Sequence, residues 1–153
     1  MEDQLLSIKA ALQIAKTPHQ VFNAIVAPKK MTNYFISEST GKMKEGEVLT
    51  WKFPEFEKEV PIQVHKVDED KYVSYYWGAH SEETLVEITL AQHDSHSTVV
   101  TVTEKFKKND EAGRQWLMGN SEGWANFLAC LKAYLEYGIN LRKGAFDFRS
   151  DKK

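Results

Sequence analysis

The residue with the most chemical promise is Glu104, in a run where Val100, Val102, Glu104 and Phe106 alternate in one phase. A carboxylate on the apolar face of a strand must be neutralised or partnered, which makes it a candidate for hydrogen bonding or proton transfer. The plainer reading places Glu104 near the strand end, solvated or paired with Lys105 or Lys107. A second constellation is aromatic: Trp51, Phe53, Tyr75, Trp77, Trp116 and Trp124. In strand phase, Trp51, Tyr75 and Trp77 face inward and can wall a pocket for a planar or aliphatic molecule, their N–H and O–H groups orienting it. The plainer reading is that such large rings fill a core.

Other reactive side chains carry less. His93 and His96 flank Asp94 at a spacing loosely compatible with a metal, but no motif places a third or fourth ligand, so a solvent-exposed turn is expected and no metal site is assigned. His65 falls out of phase with Val60, Ile62 and Val64 and points outward, and His80 sits in a polar stretch that reads as loop. Cys130 lies about 200° around a helix from Leu128, off the centre of its apolar stripe, and reads as an inert, partly buried thiol. The sequence has no Walker loop or dinucleotide fingerprint. Nucleophilic, phosphoryl-transfer and redox enzymes are unsupported, and no cofactor is expected.

Composition narrows the class. The chain has 153 residues, 20 Lys and Arg against 22 Asp and Glu, and a single cysteine. A net charge of -2 provides no basic stripe for phosphates, so no nucleic-acid partner is expected, nor an anionic membrane surface. No apolar run approaches the ~20 residues that span a bilayer. The opening Met1-Glu2-Asp3-Gln4 lacks a signal peptide's basic region, and one cysteine suits a reducing compartment, so a cytoplasmic location is expected.

The elements that must position these groups can be read from their periods. Residues 5–15 alternate, with Ile8, Ala10, Leu12 and Ile14 on one face, as a half-buried strand does. Thr17 and Pro18 then supply an N-cap and a first helical residue, and Pro28 ends that helix and opens a second short one. An extended segment is expected from Phe35 and Ile36. Residues 37–106 read as an antiparallel meander of short runs, each with its own inward set: Leu49, Trp51 and Phe53; Val60, Ile62 and Val64; Val73, Tyr75 and Trp77; Val86, Ile88 and Leu90. Trp124, Phe127, Leu128, Leu131, Tyr134 and Leu135 instead repeat with the helical period, on a helix from Asp110 or Arg114 to Tyr137, stopped by Gly138. Gly119 and Gly123 within it suggest close approach to the sheet or a ligand, or a local kink. The helix must bury its stripe across the concave side of the sheet. The fold class is therefore α+β.

The order of strand, two short helices, meander and long helix resembles the helix-grip fold of START-like or SRPBCC domains. Two stretches sharpen the likeness. Thr17-Pro18-His19-Gln20-Val21-Phe22-Asn23-Ala24-Ile25, with Pro28-Lys29-Lys30-Met31 and Tyr34-Phe35, resembles the opening of the branch named for activators of the heat shock protein 90 ATPase. Gly123-Trp124-Ala125-Asn126-Phe127-Leu128 with Leu131-Lys132-Ala133-Tyr134-Leu135-Glu136 resembles its C-terminal helix. The resemblance implies a sheet of six or seven antiparallel strands wrapped around that helix, with a largely apolar cavity between them used by relatives for lipids, hormones, polyketides and aromatic molecules. It also implies an inward His or Glu at the end of the last strand, where Glu104 stands. Relatives include a co-chaperone domain that stimulates a chaperone ATPase.

These readings predict one domain over residues 1–138 and a tail, 139–153, whose Ile139, Leu141, Phe146 and Phe148 pack on the domain or on a second subunit; a homodimer is the expected assembly. The leading function is binding of a small apolar or aromatic molecule by Trp51, Phe53, Tyr75, Trp77, Val100, Val102, Glu104, Trp124 and Phe127, without catalysis. The alternatives are a chaperone-associated interaction module, by family analogy and from the apolar tail, and a cyclase- or hydrolase-like enzyme using Glu104 as acid or base.

Overall fold

In the computed structural model, residues 4–78 and 83–149 are described; His80 lies outside them. Strand β1 (Leu5–Ile14) leads into helices α1 (Pro18–Val26) and α2 (Pro28–Met31). Strands β2 (Glu38–Ser39), β3 (Val48–Lys52), β4 (Val60–Asp68), β5 (Tyr72–Trp77), β6 (Thr84–Asp94) and β7 (Ser97–Lys108) follow, then helix α3 (Glu111–Tyr137) and a 3₁₀ turn at Asp147–Arg149. The strands form one antiparallel sheet in the order β1-β7-β6-β5-β4-β3-β2. This is the helix-grip α+β architecture, with α1 and α2 set between the first two strands.

Local chemistry explains the interruptions. Thr17 and Gln20 make a reciprocal capping box at the start of α1, with Pro18 in its first turn. Ala27 is extended, as a residue before proline prefers, and so separates α1 from α2. The extended segment expected at Phe35 and Ile36 is instead a turn. Their backbone N–H groups donate to Met31 O at 2.8 and 3.2 Å, continuing the coil of α2 and swinging Phe35 toward the interior rings.

The register places Glu104 in a cross-strand row with Ile8, Val86, Tyr75 and Val64, an otherwise apolar line across five strands. Phe106 was expected to share this inward face and does not. Leu6 pairs with Lys107 but Ser7 with Lys105, so Phe106 is the extra residue of a bulge, at φ 85°, and its ring turns out to solvent.

Helix α3 is capped by Asp110, which accepts from the Gly113 N–H at 2.8 Å, and closed by Gly138 in the left-handed conformation. It buries Trp124, Phe127, Leu128 and Leu131, and Cys130 as well, so its buried face is wider than the stripe suggested. The close approach suspected of Gly119 or Gly123 occurs at Gly113 instead, where a Cβ would stand 1.9 Å from Lys108 O. Around Gly119 and Gly123 the added atom would meet open space, and the helix runs unbroken through both.

Candidate functional site

Glu104 is 1% exposed, and both of its oxygens are occupied. Oε1 accepts from Trp124 Nε1 at 2.7 Å and Asn120 Nδ2 at 3.1 Å. Oε2 accepts from Thr84 Oγ1 at 2.5 Å and Trp77 Nε1 at 2.9 Å. A carboxylate offers about four lone-pair sites, and these four donors, from β5, β6 and α3, fill them. Neither neighbouring lysine proposed as a partner is among the four. Lys105 points to the other face and pairs with Glu87 at 2.7 Å. Strand phase positions Thr84 and Trp77, which face each other across β5 and β6; the helical period stacks Asn120 one turn before Trp124.

The rings form one continuous cluster. Trp51 packs edge-on against Tyr75, Phe35 and Trp77 at centroid separations of 5.2, 5.5 and 6.2 Å. Trp77 lies 5.6 Å from Trp124, which meets Phe127 at 5.2 Å. Trp51, Tyr75, Val100 and Val102 are buried core residues. Trp51 Nε1 and the Tyr75 hydroxyl have no hydrogen-bond partner among the described residues. Burial, and then the nearby Glu104 carboxylate, hold the Tyr75 hydroxyl well above the usual phenol range.

Beside this cluster opens a pocket of about 330 Å³. Phe35, Phe53, Phe56, Trp77, Trp124 and Phe127 wall it, and Gly119, Asn120, Gly123 and Asn126 contribute the α3 side. Of the residues picked from the sequence, Phe53, Trp77, Trp124 and Phe127 line it. Trp51, Tyr75, Val100, Val102 and Glu104 stand behind the wall, Glu104 bonded to three lining residues: Trp77, Asn120 and Trp124. The expected space is thus displaced toward the β3–β4 connection and the tail, because large rings occupy the centre of the sheet.

The tail crosses the mouth of this pocket. Arg142 makes a two-pronged pair with Glu55, at 3.1 and 2.8 Å, and lies over the rings of Phe53 and Phe146. Arg149 pairs with Glu122 of α3 at 2.7 Å and also lies over the Phe146 ring. Phe146 is thereby folded onto its own domain, whereas Phe148 is 80% exposed. Sequence reading missed Thr84, Asn120, Glu55 and Arg142. Thr84 and Asn120 could have been found by extending the phases of Val86 and Trp124; no local signal joins Glu55 to a residue 87 positions away.

The remaining reactive groups stay apart from the pocket. His93 and His96 are exposed, and Asp94 accepts from the His96 N–H to close a turn. His65 is exposed beside Tyr76. His19, Glu69 and Asp70 bring possible ligand atoms within 4.8 Å of one another at the surface, but both ring nitrogens of His19 are engaged, by Asp70 and Asn23. Burial pushes the Cys130 thiol up, against a smaller opposing pull from Arg142, so it is a poor nucleophile.

With this geometry in place, the family can be stated. The family described as activator of Hsp90 ATPase homolog 1-like protein matches residues 15–136, and the chain belongs to it, within the START-like superfamily. Protein SSP2350 of Staphylococcus saprophyticus is 31% identical, with a TM-score of 0.78, over 90% of this chain and 96% of that one. Two more distant structures share the fold. DynU16, described as a putative protein in the dynemicin biosynthetic locus, is 19% identical at a TM-score of 0.77, over 88% of this chain and 48% of its own. The Aha1 dimer from Colwellia psychrerythraea is 18% identical at 0.74, over 87% and 98%. No curated protein matches the sequence. Among the described residues, no helix is long and apolar enough to cross a membrane.

Proposed function

We propose that this protein binds a small apolar or aromatic molecule in the pocket between the β3–β4 connection, β5, α3 and the tail. The observation that carries this reading is an opening of about 330 Å³ walled by aromatic rings and faced on α3 by two glycines. That volume falls within the range of roughly 300–1,000 Å³ typical of ligand sites. Helix glycines cost about 0.5–1 kcal/mol each relative to alanine, and at Gly119 and Gly123 only open space stands where a side chain would be.

Glu104 acts in this reading as a positioning residue. Its oxygens are taken by protein donors, and it does not line the pocket, which argues against the cyclase- or hydrolase-like role. The interaction-module alternative drew on family analogy and on the apolar tail around Phe146 and Phe148; of these two rings, Phe146 is engaged in the pocket wall and Phe148 is exposed.

The test is a titration of isotopically labelled protein with naphthalene, followed by the indole N–H resonances. Saturable shifts at Trp77 and Trp124, larger than any elsewhere, support the reading. Unmoved indole signals up to the solubility limit of the probe, together with a ligand-free native mass spectrum, overturn it.

A further inference from the structure

Among the polar groups of the pocket lining, Asn120 has its amide orientation set by the protein. Asn120 gives its Nδ2 to Glu104 Oε1 at 3.1 Å, an oxygen that also accepts from Trp124 at 2.7 Å. A carboxylate takes the NH₂ end of an amide and repels the carbonyl end, so the Asn120 amide cannot turn over without placing two acceptors face to face. Its Oδ1 makes no hydrogen bond among the described residues, and Asn120 lines the pocket. Asn120 thus keeps a free acceptor of fixed orientation on a residue of the pocket lining.

The same carboxylate removes the competing donors. Trp77 and Trp124 both spend their N–H groups on Glu104, so these walls offer the ligand carbon faces rather than polar edges. Of the two cations in the lining, Arg142 gives two N–H groups to buried Glu55, and Arg149 gives one to Glu122 at the surface. Asn126 lines the pocket too, but no neighbour settles which end of its amide is presented, so it adapts to donor or acceptor alike.

We infer that the pocket selects a flat aromatic molecule carrying a hydrogen-bond donor, a phenolic hydroxyl or a ring N–H, which it delivers to Asn120 Oδ1, and that it rejects aromatic carboxylates. This rests on the ligand-binding reading above and deepens it. Stacking against Trp77 and Trp124 supplies the affinity, and the fixed acceptor supplies the choice among rings of equal size. A polar site of this kind discriminates because an unsuited ligand leaves a desolvated acceptor without a partner.

The experiment compares naphthalene, 2-methoxynaphthalene, 2-naphthol and 2-naphthoate on the full chain, with binding followed at the Trp77 and Trp124 indole resonances. The expected order has 2-naphthol about three- to tenfold tighter than 2-methoxynaphthalene, as one hydrogen bond is worth, and 2-naphthoate weakest. In Asn120→Ala the naphthol advantage over 2-methoxynaphthalene falls to less than about twofold. Equal affinities for naphthol and methoxynaphthalene on the unaltered protein, or a naphthol advantage retained in Asn120→Ala, overturn this inference and leave the pocket reading intact. Binding of none of the four probes overturns the pocket reading and this inference with it. The comparison on the unaltered protein stands whether or not the variant folds.

Discussion

Trp124 donates its indole N–H to Glu104 at 2.7 Å, joining the middle of α3 to the far end of β7 in the interior of the domain. With Trp77 on the opposite oxygen, the carboxylate clamps two pocket walls to a single point. Glu104→Leu leaves two indole N–H groups, an amide and a hydroxyl without their acceptor. It is expected to lower stability by at least about 3 kcal/mol, because unsatisfied buried donors cost about 1–3 kcal/mol each. Glu104→Gln keeps the shape but turns an NH₂ toward two donors, and is expected to cost about 1–3 kcal/mol. Urea midpoints at unchanged m-value measure both.

The glycines of α3 separate by environment. Gly113 has no room for a side chain, since a Cβ would sit 1.9 Å from Lys108 O, so Gly113→Ala must displace the start of the helix from the end of β7. A loss of about 1–3 kcal/mol is expected, the usual range for forced overpacking. Gly119→Ala meets nothing and gains helix propensity, so it is expected to stabilise by about 0.5–1 kcal/mol. Thermal midpoints of the two variants should therefore move in opposite directions. Gly123→Leu tests the pocket in turn: the fold should hold, while naphthalene no longer shifts the Trp77 resonance.

The architecture was legible because it is carried by repeating local signals. The phase of Val86, Ile88 and Leu90, the helical spacing from Trp124 to Leu135 and the Thr17-Pro18 cap each name an element by themselves, and each forms as read. The same phase offered Glu104 as an inward carboxylate, beside the plainer reading of a solvated or lysine-paired residue that its burial overturns. The pocket was harder to place, since its position depends on which rings meet at the centre of the sheet. Trp51 and Tyr75 share the inward phase with Trp77, but they pack against each other, Trp51 also against Phe35, and the free volume is left near Phe53. Phe106 shows a further limit. Alternation continues in the letters while a single bulge at positive φ reverses the side chain.

Acid should weaken the outer face of the sheet through Glu87. Lys105 at 2.7 Å, then the Tyr72 hydroxyl at 2.6 Å, hold the Glu87 carboxyl below its ordinary range. A folded-state pKa below the unfolded one means that the stabilisation is complete above the unfolded value, near 4.5, and is lost as pH falls through the folded value. Glu87→Gln is therefore expected to reduce stability at pH 7 and to lose part of the acid dependence below about pH 4.5. Urea unfolding of both proteins from pH 7 to pH 3 checks this, the difference between them shrinking toward the acid end.

The pair between Arg142 and Glu55 ties a tail that lies beyond the family match at 15–136 to the connection between β3 and β4. Its side chains are 13% and 5% exposed, so solvent does little to screen them. Removing one partner of such a pair costs about 3–5 kcal/mol when the other charge stays buried. Here the tail has an alternative, which is to lift away and let Glu55 reach water. Arg142→Met is therefore expected to cost less than that range and to appear chiefly as faster amide exchange across residues 139–149. Phe146 leaves the pocket wall with it, so the naphthalene off-rate should rise. Glu55→Gln combined with Arg142→Met removes the stranded charge and should restore protection of the tail. A double-mutant cycle with the two single variants isolates the coupling. Unchanged tail exchange in Arg142→Met would show instead that Arg149, bonded to Glu122 and covering Phe146, holds the strap without it.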